Sequence, residues 1–133
     1  MEFRSKAPYG YRAWRLRSNG LYSFSGWREW PTDRPKVALC WRNFLPVNGH
    51  TAPGKGHQCG IYAWKDVPPK TYSPQGMVPV WGVVELTGHV IEHSCGYRAQ
   101  YARPVAIEYA PDVIAVARRY GLIVLDDMAD WKE

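Results

Sequence analysis

Read as polar and apolar positions, the chain begins with an alternating run and ends with a helical one. Tyr11 to Arg17 (YRAWRLR) sets Arg12, Trp14 and Leu16 on one side of an extended segment, with Tyr11, Ala13, Arg15 and Arg17 on the other. Ser18-Asn19-Gly20 then supplies turn chemistry before Leu21-Tyr22-Ser23-Phe24, which predicts a hairpin. Residues 26 to 35 are a proline-punctuated loop, Val37 to Trp41 a buried strand carrying Cys40, and residues 45 to 60 loop again. Ile61 to Trp64 is a short strand, and Lys65 to Pro79, with its four prolines, is irregular. Between Val80 and His93 two apolar runs flank Thr87-Gly88, which predicts a second hairpin, followed by a strand over Tyr97 to Tyr109. Val113, Val116, Ala117 and Tyr120 recur at helical spacing behind Pro111 and Asp112, and Gly121 is the natural stop. Leu122 to Leu125 reads as a last strand and residues 126 to 133 as an acidic tail.

These elements predict one α+β, mostly β domain over residues 1 to 133: an antiparallel sheet or small open barrel, one C-terminal helix, and a long Pro/Gly-rich loop region. Composition agrees, because 11 prolines and 12 glycines break the chain often. Seven Trp and nine Tyr against three Phe favour half-buried surfaces with a polar edge. No apolar run approaches the ~20 residues that a membrane helix needs, and the N-terminus lacks a signal-type apolar stretch, so the expected location is the cytoplasm. Three cysteines without an export signal fit metal ligation or buried thiols better than a disulfide framework.

Charge changes the picture further. The net +5 is uneven: residues 1 to 43 hold nine Lys/Arg against three Asp/Glu, whereas residues 108 to 133 hold three against six. A basic end admits an anionic partner, or attraction between the two ends within the fold. Arginine is interleaved with aromatics in YRAWRLR, GWREW, CWRNF and GYRAQYARP. On a sheet this pairing suits nucleic acid or a nucleotide, since bases stack on rings and guanidinium groups meet phosphate. The candidate binding residues are Arg12, Trp14, Arg15, Arg17, Tyr97 and Arg98. The competing reading is ordinary intramolecular packing of Arg on Trp and Tyr.

His57-Gln58-Cys59-Gly60 returns as His93-Ser94-Cys95-Gly96, and Gly-Tyr-Arg-Ala occurs at residues 10 to 13 and again at 96 to 99. Zinc takes about four nitrogen or sulfur ligands. Cys40, His50, His57 and Cys59 fall within twenty residues, span one Pro/Gly-rich loop and are the preferred ligand set for a structural zinc ion. An alternative joins the pairs His57/Cys59 and His93/Cys95 across neighbouring strands, because residues i and i+2 share a strand face. A third reading leaves Cys40 as a buried thiol and the histidines as loop groups. Gly54-Lys55-Gly56 lacks the P-loop pattern and serves better as slack than as a phosphate cradle.

The order A-x-C, H-x-A-P, H-x-C-G-I-Y-A and G-Y-R-A resembles a group of small uncharacterised proteins of actinobacteria and their phages, in which the third element carries Cys-x-Cys-Gly. The resemblance spans roughly two thirds of the chain. It implies that position 57 can be Cys or His, as suits a metal ligand, and sets Cys40, His50 and Cys59 beside it. His57 and the extra Cys95 are departures that leave the fourth ligand open. The expectation is therefore a non-enzymatic, zinc-stabilised module binding nucleic acid or a nucleotide. Two alternatives stand beside it: a phage- or host-type accessory protein that binds a partner protein, and a hydrolase or transferase using Glu92 and His93, near Glu85 and His89.

Overall fold

The hairpin expected at the start is present. In the computed structural model, which describes residues 8–24, 28–39, 41–42, 45–46, 52–54, 59–69, 73 and 78–132, strand β1 (Tyr9–Arg17) turns into β2 (Gly20–Tyr22) through Ser18 and Asn19. Both turn residues have positive φ, 49° and 62°, as a two-residue primed turn requires. Next come β3 (Lys36–Val37), the separate pair β4 (Trp41–Arg42) and β5 (Leu45–Pro46), and β6 (Ile61–Trp64). Two 13-residue strands, β7 (Val80–Glu92) and β8 (Gly96–Glu108), are followed by helix α1 (Val113–Tyr120), strand β9 (Ile123–Leu125) and a 3-10 turn at Met128–Asp130. The class is α+β, mostly β, and mostly antiparallel. None of the described helices is long and apolar enough to cross a membrane.

The strands form a ring. β1 pairs with β7, β7 with β8, β8 with β6, and β6 returns to β1 where Tyr11 faces Trp64. All four joints are antiparallel; β3 and β9 continue along β8, with β9 parallel because α1 carries the chain back before it. Closing so few strands demands close backbone approach at β6. A Cβ on Gly10 would stand 2.5 Å from the Ala63 Cβ, and one on Gly96 would strike the Ala63 carbonyl oxygen. Both Gly-Tyr-Arg-Ala copies therefore begin with the glycine that lets β1 or β8 close on Ala63. Their likeness is a packing requirement of the ring.

Inside, Trp14 and Trp30 meet edge to face at 5.4 Å, both fully buried, among Leu21, Val84, Leu86 and Ile107. The helix contributes Val113, Val116 and Ala117, the face its spacing predicts, and Gly121 ends it in the left-handed region at φ 69°. Tyr120 ties helix to hairpin: its hydroxyl donates to the Trp30 carbonyl at 2.6 Å and accepts from the Leu21 N–H at 3.1 Å. A smaller cluster on the other face joins Val83, Ala106 and Met128 with Tyr9, Tyr11, Trp81 and Trp131.

Three expectations change. Gly88, with φ 74°, does not turn a hairpin; it sits in a bulge where the β7–β8 register shifts between Thr87 and Val90. The left-handed residue that serves a turn serves a bulge equally well. The reversal falls at residues 93 to 95, where the His93 N–H donates to the Gly96 carbonyl at 2.8 Å. Val37 to Trp41 is not one buried strand either: β3 lies at the edge of β8, and Val37 and Leu39 are each 48% exposed. Finally, the acidic tail is docked over its described part. Met128 is buried, the Trp131 ring lies 5.3 Å from Tyr9, and Asp127 Oδ1 accepts the Ala129 N–H.

Trp14→Ala should lower the unfolding free energy by about 3 to 5 kcal/mol, since it empties the centre of the ring. Tyr62→Ala, on the outer side, should cost under about 1 kcal/mol. Urea denaturation of the two variants checks the contrast.

Candidate functional site

The six basic and aromatic residues singled out from the sequence do not share one surface. Trp14 is wholly buried and cannot stack on a base. Arg12 shares its face, as the register pairs Arg12 with Gly82 and Trp14 with Val80. Its guanidinium carbon lies 4.9 Å over the Trp30 ring. Nη1 donates to the Tyr62 carbonyl at 2.7 Å, and Nη2 makes a long bond to Ser23 Oγ at 3.5 Å. Burial pushes the Arg12 pKa down to about 10. Arg15 donates to the Ser23 carbonyl at 3.3 Å, and Arg17 is exposed at the hairpin tip.

Tyr97 and Arg98 lie on β8 beside β6. Lys65 Nζ stands 5.6 Å from the Tyr97 ring. Arg98 Nε donates to His93 Nε2 at 2.9 Å and Nη1 to the Cys59 carbonyl at 3.1 Å. In register with Arg98 is Tyr62, a residue that sequence reasoning passed over. Strand β6 alternates strictly: Ile61 and Ala63 are buried, while Tyr62 and Trp64 are 49% and 39% exposed. Residues two apart on a strand present their side chains to one face. The resulting outward strip has Tyr62 and Trp64 on β6, Arg98 opposite Tyr62, and Tyr11 opposite Trp64. The period-two pattern of IYAW was visible, yet only ring closure fixes which half of the pattern meets solvent.

Of the preferred metal ligands, Cys40, His50 and His57 lie outside the described residues. Cys59 is half-buried, and its sulfur accepts the Gly54 N–H at 3.2 Å. The alternative set across strands does not gather its cysteines. Pairing Ile61 with Ala99 and Trp64 with Gly96 puts Cys59 and Cys95 beyond opposite ends of β6, with about 13 Å of strand between. The Cys95 carbonyl accepts from the Lys65 N–H at 3.0 Å. Among the described residues no group of three His, Cys, Asp or Glu side chains could hold a metal ion.

Of the acid and base candidates, both glutamates are engaged. Glu92 pairs with Lys65 at 2.6 Å; Glu85 accepts from Arg103 at 3.4 Å and from Tyr9 at 3.5 Å. His89 falls in the Gly88 bulge and His93 in the turn. Glu92 and His93 are both exposed.

Brief treatment with iodoacetamide should modify exposed Cys95 before half-buried Cys59, as read by peptide mass spectrometry; the reverse order would contradict these placements. In comparisons with family models, curated proteins and solved structures, no match to the chain is found.

Proposed function

We propose that this chain is a non-enzymatic binding module for single-stranded nucleic acid or a nucleotide, with a structural zinc ion closing the loop that leads into β6. The observation that carries the reading is the outward strip of β6. Two large rings, Tyr62 and Trp64, share one face of a short strand, with Arg98 opposite Tyr62 in the register. Base stacking needs an exposed π-face and tolerates any sequence, while neighbouring cations meet the phosphates. The net charge of +5 adds long-range attraction for a polyanion.

Zinc enters through Cys59. Its sulfur already accepts a backbone N–H from Gly54, the kind of bond that orients a metal ligand. Cys40, His50 and His57 would complete the set, and such an ion would fix the chain entering β6. A second reading, an accessory protein that binds a partner protein, is favoured by a different surface: Tyr109, Ile114, Ile123 and Val124 are exposed around β9.

Binding to a short oligothymidylate should fall about 5- to 150-fold on Tyr62→Ala or Trp64→Ala and weaken steeply as salt rises. Trp14→Ala would act through the fold instead. Absence of measurable binding at low salt would favour the protein-partner reading.

For the metal, protein purified without chelator should carry near-stoichiometric zinc, and Cys59→Ala should lose both the metal and thermal stability. A zinc-free protein whose melting is unchanged by chelator would remove the zinc part of the proposal.

A further inference from the structure

Positive charge converges on one hydroxyl at the end of β2. Ser23 Oγ accepts from Trp30 Nε1 at 2.8 Å and from Arg12 Nη2 at 3.5 Å. Its carbonyl accepts from Arg15 at 3.3 Å, and its own N–H donates to the Arg28 carbonyl. Lys36 lies near enough to feel the charges of Arg28 and Arg12; burial first, and those two charges next, lower its pKa. The Arg12 Nε is out of solvent with no hydrogen-bond partner among the described residues. Burying a cation without a counter-charge is costly, and a site that tolerates the cost is a candidate for a ligand that removes it.

Nearby carboxylates do not supply that counter-charge. Glu29, on the same loop, is committed to the Tyr22 hydroxyl at 2.9 Å and to Arg119 at 2.7 Å. Asp33 pairs with Arg34 at 3.0 Å. Among the described residues, neither Arg12 nor Lys36 makes an ion pair with a carboxylate.

The donors left over define the ligand. Each Nη of a guanidinium carries two N–H groups, and Arg12 commits one of each, to Tyr62 and to Ser23. One N–H on each Nη therefore remains to donate. The Ser23 oxygen accepts twice, which leaves its O–H as a donor, and Lys36 adds an ammonium. Guanidinium N–H groups with a hydroxyl and a point charge suit a group bearing several acceptor oxygens and a full negative charge, which is phosphate.

We propose that Arg12, Lys36 and the Ser23 hydroxyl bind one phosphate group, that of a nucleotide or of a single-stranded nucleic acid passing over β6. This rests on the nucleic-acid reading above and adds to it the position of the phosphate. Arg12 holds the carbonyl of Tyr62, so the phosphate site adjoins the strand whose rings face outward. The ligand's charge would return to Arg12 the stabilisation that burial removes.

Calorimetric titration of the intact chain with thymidine, thymidine monophosphate and inorganic phosphate at low salt tests this, with Lys36→Gln, Arg12→Lys and Tyr62→Ala beside the parent and melting curves to verify folding. The monophosphate should bind at least tenfold more tightly than thymidine. Lys36→Gln should abolish that preference, Arg12→Lys should reduce it, and Tyr62→Ala should weaken both thymidine ligands while sparing inorganic phosphate. Equal affinity for thymidine and its monophosphate, or a preference unchanged in folded Lys36→Gln, overturns the site. Should oligothymidylate bind Lys36→Gln and Arg12→Lys as tightly as the parent while Tyr62→Ala weakens it, the phosphate site fails and the nucleic-acid reading survives. Lys36-dependent phosphate binding without nucleoside or oligonucleotide binding supports the site and removes the nucleic-acid reading.

Discussion

The approach of two strands to Ala63 is the constraint on which the rest of this structure depends. β6 is only four residues long, yet it joins β1 to β8 and so closes the ring. Closure is possible because Gly10 and Gly96 carry no side chain where each faces Ala63. Once the backbones meet there, the alternation of β6 has one solution. Ile61 and Ala63 turn in, Tyr62 and Trp64 turn out, and the Tyr62 carbonyl at the rim becomes available to Arg12. Geometry that began as a packing requirement thereby sets which side of β6 carries the two exposed rings.

A similar economy operates at Trp30. This ring fills the core against Trp14, lies beneath the Arg12 guanidinium, and donates its indole N–H to Ser23. Its carbonyl receives Tyr120 from the helix, while Arg119 holds Glu29. Glu29 is thereby committed to Arg119 and Tyr22, and makes no ion pair with Arg12. The helix thus contributes to the electrostatics of the hairpin although it touches none of the proposed ligand-binding groups.

The first hairpin and the helix were legible in the sequence because their signals are local: Ser-Asn-Gly turn chemistry, 3.6-residue spacing and a terminal glycine. Gly88 was misread because a left-handed glycine between apolar runs marks a bulge or a turn alike, and only pairing with a 13-residue β8 decides. Arg12 and Trp14 were grouped as a surface since alternation reveals that two residues share a face but not which face is covered. Tyr62 and Trp64 were missed for the converse reason. The repeated Gly-Tyr-Arg-Ala was noticed, and its cause lies in a long-range contact that no window of sequence contains. Of the proposed zinc ligands Cys59 alone falls among the described residues, with its sulfur bonded to Gly54.

If β6 presents the ligand-binding face, a bound strand rests against Tyr62 and Trp64. Ultraviolet crosslinking of oligothymidylate to the folded protein, followed by peptide mapping, tests this. Adducts should form on Tyr62 or Trp64. Adducts confined to α1, β9 or the hairpin tip at Arg17, with none on β6, would contradict it.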